Sequence, residues 1–125
     1  MDFKIKVERI IKDEDVSSLL TSAFEGGSNY WYMIEKKVNA KADKAFEYAC
    51  DIVLKGHGLV VSDACEAPKE EVRKAVLDRT KCQIGLQIMA EKEPRHFGNI
   101  MTDECDAITG DVFLQCCLFG EVIYG

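Results

Sequence analysis

Acidic side chains near the C-terminal end are the residues whose types and spacing could do chemistry. Asp103, Glu104, Asp106 and Asp111 follow one another closely in the sequence. Carboxylate oxygens are the ligands that hard cations prefer, so this cluster could hold a metal ion. Asp103, Asp106 and Asp111, with His57, would then suit a metal-dependent hydrolase. At the start of a helix the same carboxylates would cap the backbone and pair with the helix dipole, which is the role we favour. We therefore expect no bound metal and no cofactor.

A glycine- and aromatic-rich segment, residues 25–32 (EGGSNYWY), is the most distinctive part of the chain. Its glycines allow close backbone approach, while Asn29 and Trp31 offer amide hydrogen bonds and a stacking face for a ligand or partner. Tyr30, Trp31 and Tyr32 would also stack a nucleobase, with Lys36, Lys37 or Arg95 meeting its phosphates. The competing interpretation is a helix cap followed by an aromatic core strand.

Charge is distributed unevenly along the 125 residues. The net charge is −6, which gives no general attraction for nucleic acid or anionic lipid. No Lys or Arg follows Arg95, whereas the segment after it contains five acids, namely Asp103, Glu104, Asp106, Asp111 and Glu121. The sequence therefore predicts an acidic C-terminal face that docks on a basic surface.

The six cysteines and the N-terminal residues indicate in which cellular compartment the protein would be found. No two cysteines form a C-x-x-C pair, and Cys116 and Cys117 are adjacent, which suits few metal sites. We interpret the cysteines as small core residues in a reducing compartment. The first residues lack the apolar stretch of a signal peptide, and no uncharged stretch is long enough for a membrane span. We expect a cytoplasmic protein.

The hydrophobic pattern predicts one α+β domain over residues 1–125, with a small sheet of three or four strands packed against four or five helices. Alternating or continuous apolar runs predict strands at 3–7, 28–36, 59–61 and 121–124. Apolar positions three and four apart predict helices at 13–24, 42–53, 68–76, 81–90 and 103–119, although 81–90 also alternates like a strand. Asn39 is expected to cap the second of these helices, the Gly26-Gly27 pair to end the first in a left-handed turn, and Gly120 to end the last.

Two polar residues stand inside the apolar last helix. Asp111 and Gln115 are neighbours at i, i+4 and need partners, so we expect them to bond the backbone of another element. The residues that we expect on the binding surface are Glu25, Asn29, Trp31, Asp103, Asp106, Asp111, Gln115 and Glu121. If Asn29, Trp31 and Glu121 instead pack together inside the protein, the two distinctive ends are a signature of its core.

The two ends of the chain resemble a family of small proteins found in tailed phages and prophages of Gram-positive bacteria. The resemblance rests on residues 25–31 (EGGSNYW), on the stretch from Asp106 through Asp111 to Gln115, and on residues 119–125 (FGEVIYG). It implies a viral origin and a location in the host cytoplasm, and it implies no reaction. Small accessory phage proteins often act by binding, for example by blocking a host defence complex, sequestering a nucleotide or adjusting a host enzyme.

These observations predict a non-enzymatic phage accessory protein that binds a host or phage protein with a basic surface. Inhibition of a host defence or host enzyme complex through the acidic C-terminal face is the expected effect. A nucleotide-binding protein and a metal-dependent hydrolase are the alternatives. Neither nucleic acid nor a membrane is an expected partner, and self-association is left open.

Overall fold

A computed structural model of the chain describes residues 1–38 and 48–125. In these residues the chain forms five α-helices and three strands. In chain order they are α1 (Asp13–Ser22), β1 (Met33–Val38), α2 (Ala49–Leu54), β2 (Gly58–Ser62), β3 (Lys74–Leu77), α3 (Arg79–Lys92), α4 (Pro94–Met101) and α5 (Ala107–Phe119). A π-helical turn, Ala23–Gly27, continues α1, and a short 3-10 turn, Lys69–Glu71, precedes β3.

The sheet is antiparallel, with the order β1-β2-β3. Leu59 and Val61 of β2 are buried against the helices, whereas Val60 between them is only partly covered. The register of β1 against β2 shifts at Glu35, so a bulge interrupts this edge strand. The helices therefore cover β2, the central strand, and β1 and β3 are the two edges of the sheet.

α5 is the centre of the core. Residues 109–118 of this helix are all buried, because α1, α3 and the π-helical turn pack around it. Its bounds follow from the sequence: the Asp106 side chain accepts from the Thr109 amide at the N-terminus, and Gly120 takes a left-handed φ of 73° just after the C-terminus. Close packing requires glycine at Gly85 and Gly110, where an added β-carbon would collide with Cys117 and with the α1 backbone.

The predicted class is confirmed, since the structure is an α+β domain with three strands and five helices. The helix over 81–90 is confirmed within α3, and the strand over 59–61 is confirmed within β2. The end of the last helix at Gly120 is also confirmed. No described cysteine forms a disulfide, and four of the six are buried.

Two predicted elements are wrong because tertiary pairing decides the structure. Residues 3–7 alternate like a strand, yet in the structure they are exposed and outside the sheet. Residues 74–77, predicted as part of a helix after Pro68, form β3 instead, since β2 offers them a full set of backbone partners. The four-residue spacing of Val72 and Val76 does not mark a helix face, because Val76 is exposed on the sheet.

Segments around the last helix also differ from the prediction. Residues 28–32 form a turn, so β1 begins at Met33. Gly26 and Gly27 lie in the π-helical turn without positive φ, so the predicted left-handed cap is wrong. The last helix begins at Ala107, because Asp106 rather than Asp103 supplies the cap. Residues 121–124 form no strand, and their amides bond a side chain of α5 instead.

The predicted helix over 42–53 is only partly testable. Its end is confirmed as α2, whereas the expected cap at Asn39 and residues 42–47 lie outside the described residues. Among residues 1–38 and 48–125, no helix combines the length and apolar character needed to cross a membrane.

The glycine at the α1–α5 contact allows a direct test of the packing. An alanine at Gly110 would place its β-carbon 2.8 Å from the Leu19 oxygen and the Ala23 nitrogen. We expect Gly110→Ala to lower the free energy of unfolding by roughly 2–4 kcal/mol through overpacking. Gly98→Ala in α4 is the control: nothing lies within 4 Å of its β-carbon, so helix propensity should leave stability unchanged or raised by up to about 1 kcal/mol. Urea unfolding measures both, and equal effects would contradict the described packing.

Candidate functional site

A buried carboxylate on α5 gathers donors from the distinctive N-terminal segment. Asp111 Oδ1 accepts hydrogen bonds from Ser28 Oγ at 2.8 Å and from Trp31 Nε1 at 2.7 Å, while Oδ2 accepts from Tyr30 OH at 2.8 Å. Gln115 Nε2 donates to Oδ1 at 3.1 Å from the next turn of the helix. Four donors thus replace the water that a buried carboxylate loses.

The turn at residues 28–32 explains how three neighbouring side chains reach one carboxylate. A strand would send Tyr30 and Trp31 to opposite faces, so they would not meet the same acceptor. Instead the Trp31 and Tyr32 amides both donate to the Ser28 oxygen, and the chain curls around Asp111. Gly27 lets this turn approach α5, because a β-carbon there would overlap the Ala107 carbonyl.

Gln115 joins the same network to the C-terminal segment. Its Oε1 accepts from the amides of Ile123 at 2.7 Å and Tyr124 at 2.8 Å, and its Nε2 also donates to the Tyr124 oxygen at 3.1 Å. The expectation that Asp111 and Gln115 bond the backbone of another part of the chain is therefore correct for Gln115. Asp111 instead accepts hydrogen bonds from side chains. The side-chain amide of Gln115 bonds the backbone N–H and C=O groups of residues 123–124, as the backbone of a neighbouring strand would.

A second buried carboxylate extends the network to the sheet. Asp63, which follows β2, accepts from Tyr124 OH at 2.8 Å and from the backbone and Nε of Arg73 at 2.7 and 3.0 Å. Burial raises the pKa of Asp63, but the Arg73 amide, the Tyr124 hydroxyl and the Arg73 guanidinium together outweigh it and leave the pKa below its usual value. Asp63 is therefore ionised and paired at neutral pH.

Aromatic rings surround these polar groups. The Trp31 indole stacks on the Tyr124 ring, with centroids 5.7 Å apart and planes 20° apart, and it contacts Phe119 at 5.3 Å. The Arg73 guanidinium lies 5.0 Å from the centre of the Phe119 ring. The distinctive segments at the two ends of the chain therefore meet inside the protein.

The structure divides the sequence-predicted residues into two groups. Trp31, Asp111 and Gln115 are brought together in the interior, so their assignment to a binding surface is wrong. Because Trp31 is fully buried, it has no face on which a nucleobase could stack. The residues that lie exposed are Glu25, Asn29, Asp103, Asp106 and Glu121.

A groove of about 400 Å³ opens beside the network. It is lined by Tyr30, Asp111, Glu93 and His96, together with residues of the C-terminal segment. The His96 Nδ1 atom is buried without a hydrogen-bond partner among the described residues. The groove gives solvent a path to Tyr30, whose hydroxyl is already donated to Asp111.

An acidic surface forms on another part of the molecule. We use this name for Asp15, Asp103, Glu104 and Asp106, which come from the first turn of α1 and from the α4–α5 connection. Burial raises the pKa of the Cys105 thiol, and the charges of Asp15, Asp103 and Asp106 raise it further. Three of the four carboxylates therefore act on the same thiol.

The same acids do not form a metal site. Within the part of the chain that the structure describes, no three His, Cys, Asp or Glu side chains are arranged to hold a metal ion. Asp111 is buried in the network, and Asp106 caps α5, where hydrogen bonds from the Thr109 backbone and side chain lower the pKa of the Asp106 carboxyl. His57 lies in the turn before β2.

Sequence reasoning missed Ser28, Tyr30, Asp63, Arg73 and Tyr124 as members of the network. The signal for Asp63 was its place after a buried strand, where an acid needs a partner. The contribution of α1 to the acidic surface was also missed, although residues 13–15 (DED) form an acidic run at a helix start.

Comparisons of the chain with protein-family models, curated proteins and solved structures gave no match.

Removing the charge of Asp111 tests how much the network contributes. Asp111→Asn presents an amide donor to groups that already donate, leaving at least one buried donor unpaired, so we expect a loss of roughly 2–4 kcal/mol of unfolding free energy. Asp103→Asn is the matched control, because Asp103 is exposed and its φ of 58° suits asparagine. Denaturant unfolding of the two variants compares them directly, and a loss below about 1 kcal/mol for Asp111→Asn would contradict the described network.

The Tyr30–Asp111 hydrogen bond predicts an alkaline transition. Burial, then the hydrogen bond to Asp111 and its charge, raise the pKa of Tyr30 to about 12 from 10.0. A folded-state pKa above the unfolded value favours the neutral hydroxyl. This contribution to stability is therefore complete below pH 10 and is lost as the pH rises towards 12. Tyrosinate absorbance of the wild type minus that of Tyr30→Phe should show one group titrating near pH 12, and a midpoint near 10 would overturn the assignment.

Proposed function

We propose that this protein acts by binding, and that its acidic surface docks on a basic surface of a protein partner. The observation that carries the proposal is the run of exposed carboxylates on the α4–α5 connection, Asp103, Glu104 and Asp106. The charge of Asp15 in α1 acts on the same thiol, Cys105, as those of Asp103 and Asp106. Like charges held together on a folded surface repel one another, and a cationic partner relieves that repulsion.

The exposure of these carboxylates supports the same role. Asp103, Glu104 and Asp106 are exposed, and Asp15 is partly exposed. The ion pairs in residues 1–38 and 48–125 join Arg73 with Asp63, Lys74 with Glu35 and Arg79 with Asp13. None of these described pairs uses a carboxylate of the acidic surface, of which Asp106 also caps α5 through Thr109.

The interior polar network favours a structural role over a catalytic one. Both oxygens of Asp111 and both polar atoms of Gln115 are engaged in hydrogen bonds within the chain. A general acid or base has to reach the substrate, whereas these groups form hydrogen bonds with other residues of the same chain.

The proposed partner is a host protein with a basic surface. From the resemblance of its ends to small phage proteins, we propose that the chain is a phage accessory protein and that binding inhibits a host defence or host enzyme complex. A groove that normally receives nucleic acid has the charge that this acidic surface complements.

Charge reversal with a matched control tests the docking surface. Asp103→Lys with Glu104→Lys reverses two exposed carboxylates and leaves the Asp106 cap intact. Glu70→Lys with Glu71→Lys makes the same net change in the 3-10 turn. Each protein is immobilised and exposed to lysate of Gram-positive host cells, and captured proteins are identified and then measured singly for association rate. We expect capture of basic proteins by the wild type and the control, with association at least about tenfold slower for the Asp103/Glu104 variant at low salt.

Three outcomes would overturn the proposed function. They are capture of no protein by the wild type, equal loss of binding in the two double variants, and a captured partner whose association rate does not fall as salt is raised. The last follows because surface charges are screened beyond about 8 Å at physiological ionic strength.

A further inference from the structure

The groove beside the buried network is lined by two carboxylates. Its volume is about 400 Å³, and its walls include Glu93, which joins α3 to α4, and Asp111 of α5. None of the described residues that line it is a lysine or an arginine. A concave site whose charges have one sign concentrates the electric field, so this groove attracts a cation.

Neither carboxylate has a cationic partner in the part of the chain that the structure describes. The ion pairs of residues 1–38 and 48–125 use neither Glu93 nor Asp111, and the Glu93 side chain makes no hydrogen bond within these residues. The Oδ2 atom of Asp111 accepts a hydrogen bond from Tyr30 OH alone. Since a carboxylate oxygen can accept two hydrogen bonds, Asp111 Oδ2 keeps a place for one more donor.

His96 adds a third acceptor to the same groove. Its Nδ1 atom is buried and has no hydrogen-bond partner among the described residues. The Nδ1 atom of a neutral imidazole accepts a hydrogen bond when Nε2 carries the proton. Because buried polar atoms nearly always have partners, this one indicates a donor that comes from outside the chain.

The positive groups near the groove are already engaged. Ala107, in the first turn of α5, lines the groove, but the Asp106 side chain caps this helix end and offsets the positive end of its dipole. Lys92 Nζ donates to the Gly120 oxygen at 3.1 Å. The preference of the groove for a cation is therefore kept.

The walls of the groove favour an organic cation over a metal ion. Among residues 1–38 and 48–125, no three His, Cys, Asp or Glu side chains are arranged to hold a metal. A primary ammonium group has three N–H donors, which is one for each of Glu93, His96 and Asp111. Ile108 and Val112 line the groove as well, and Ile108 is 63% exposed, so they can cover an alkyl chain.

We propose that this groove binds a small primary amine in its ammonium form. The ammonium group donates hydrogen bonds to Glu93, His96 and Asp111, and the alkyl chain packs against Ile108 and Val112. The site is distinct from the acidic surface and does not depend on a protein partner.

Titration of the full chain with n-butylammonium chloride at constant ionic strength tests the site. Amide shifts in proton–nitrogen correlation NMR spectra report where the probe binds. n-Butanol has the same alkyl chain without the charge, and tetramethylammonium has the charge without N–H donors. We expect saturable shifts around Ile108 and Val112 with a dissociation constant on the order of 1 mM, and binding at least about tenfold weaker for both comparison compounds.

Two variants and a matched control test the acceptors. Glu93→Gln removes a charge without removing a cap, since the Glu93 side chain makes no capping hydrogen bond, and it should weaken n-butylammonium binding at least about fivefold. His96→Phe keeps a ring and removes the acceptor, with a similar expected loss. Glu91→Gln is the control, because Glu91 is exposed, bonds Gln87 and does not line the groove, so binding should be unchanged. The NMR spectra also show that each variant is folded.

Three results would overturn the proposal. One is the lack of saturable shifts at the groove in the wild type at about 20 mM probe, which would place the dissociation constant far above the expected value. Another is binding of n-butanol as tight as that of n-butylammonium, since the carboxylates would then play no part. The third is an equal effect of Glu93→Gln and Glu91→Gln, which would show that only the net charge of the protein matters.

Discussion

A charged carboxylate held inside the protein is the constraint on which much of this structure depends. Asp111 lies in the part of α5, residues 109–118, in which every residue is buried. None of the ion pairs found in the described residues involves it. An unpaired carboxylate in such a place is costly unless several donors surround it. Ser28, Tyr30, Trp31 and Gln115 are those donors, so the positions of all four side chains are fixed together.

This requirement shapes segments that have no regular structure. Residues 28–32 turn around Asp111 instead of forming a strand, and residues 123–124 are held by the side chain of Gln115 rather than by a neighbouring strand. Tyr124 then reaches Asp63 and Arg73 at the end of the sheet. One polar network thus joins the end of α1, the centre of α5, the C-terminal segment and the β2–β3 connection, so the two most distinctive stretches of sequence meet in the fold although they lie at opposite ends of the chain.

The elements with strong local signals were predictable, and those decided by distant partners were not. Leu59 and Val61 in a short apolar run identify β2, and Gly120 ends α5 as its conformational freedom suggests. The sequence also indicated that Asp111 and Gln115 needed partners. It did not indicate that Trp31 was one of them, because a buried and an exposed tryptophan have the same local sequence. Residues 74–77 were mistaken for a helix since pairing with β2, rather than propensity, determines their structure.

The network and the exposed acids are therefore separate: the buried carboxylates fasten the fold, and Asp103, Glu104 and Asp106 take no part in it. Amide hydrogen exchange at Ile123 and Tyr124 tests the central claim most directly. Both amides lie outside any helix or strand, yet both donate to Gln115 Oε1. The account predicts that they exchange as slowly, within about tenfold, as the amides in the middle of α5, because both open only when the core does. Exchange as fast as in an unstructured tail would show that the network does not hold the C-terminal segment, and would contradict the account.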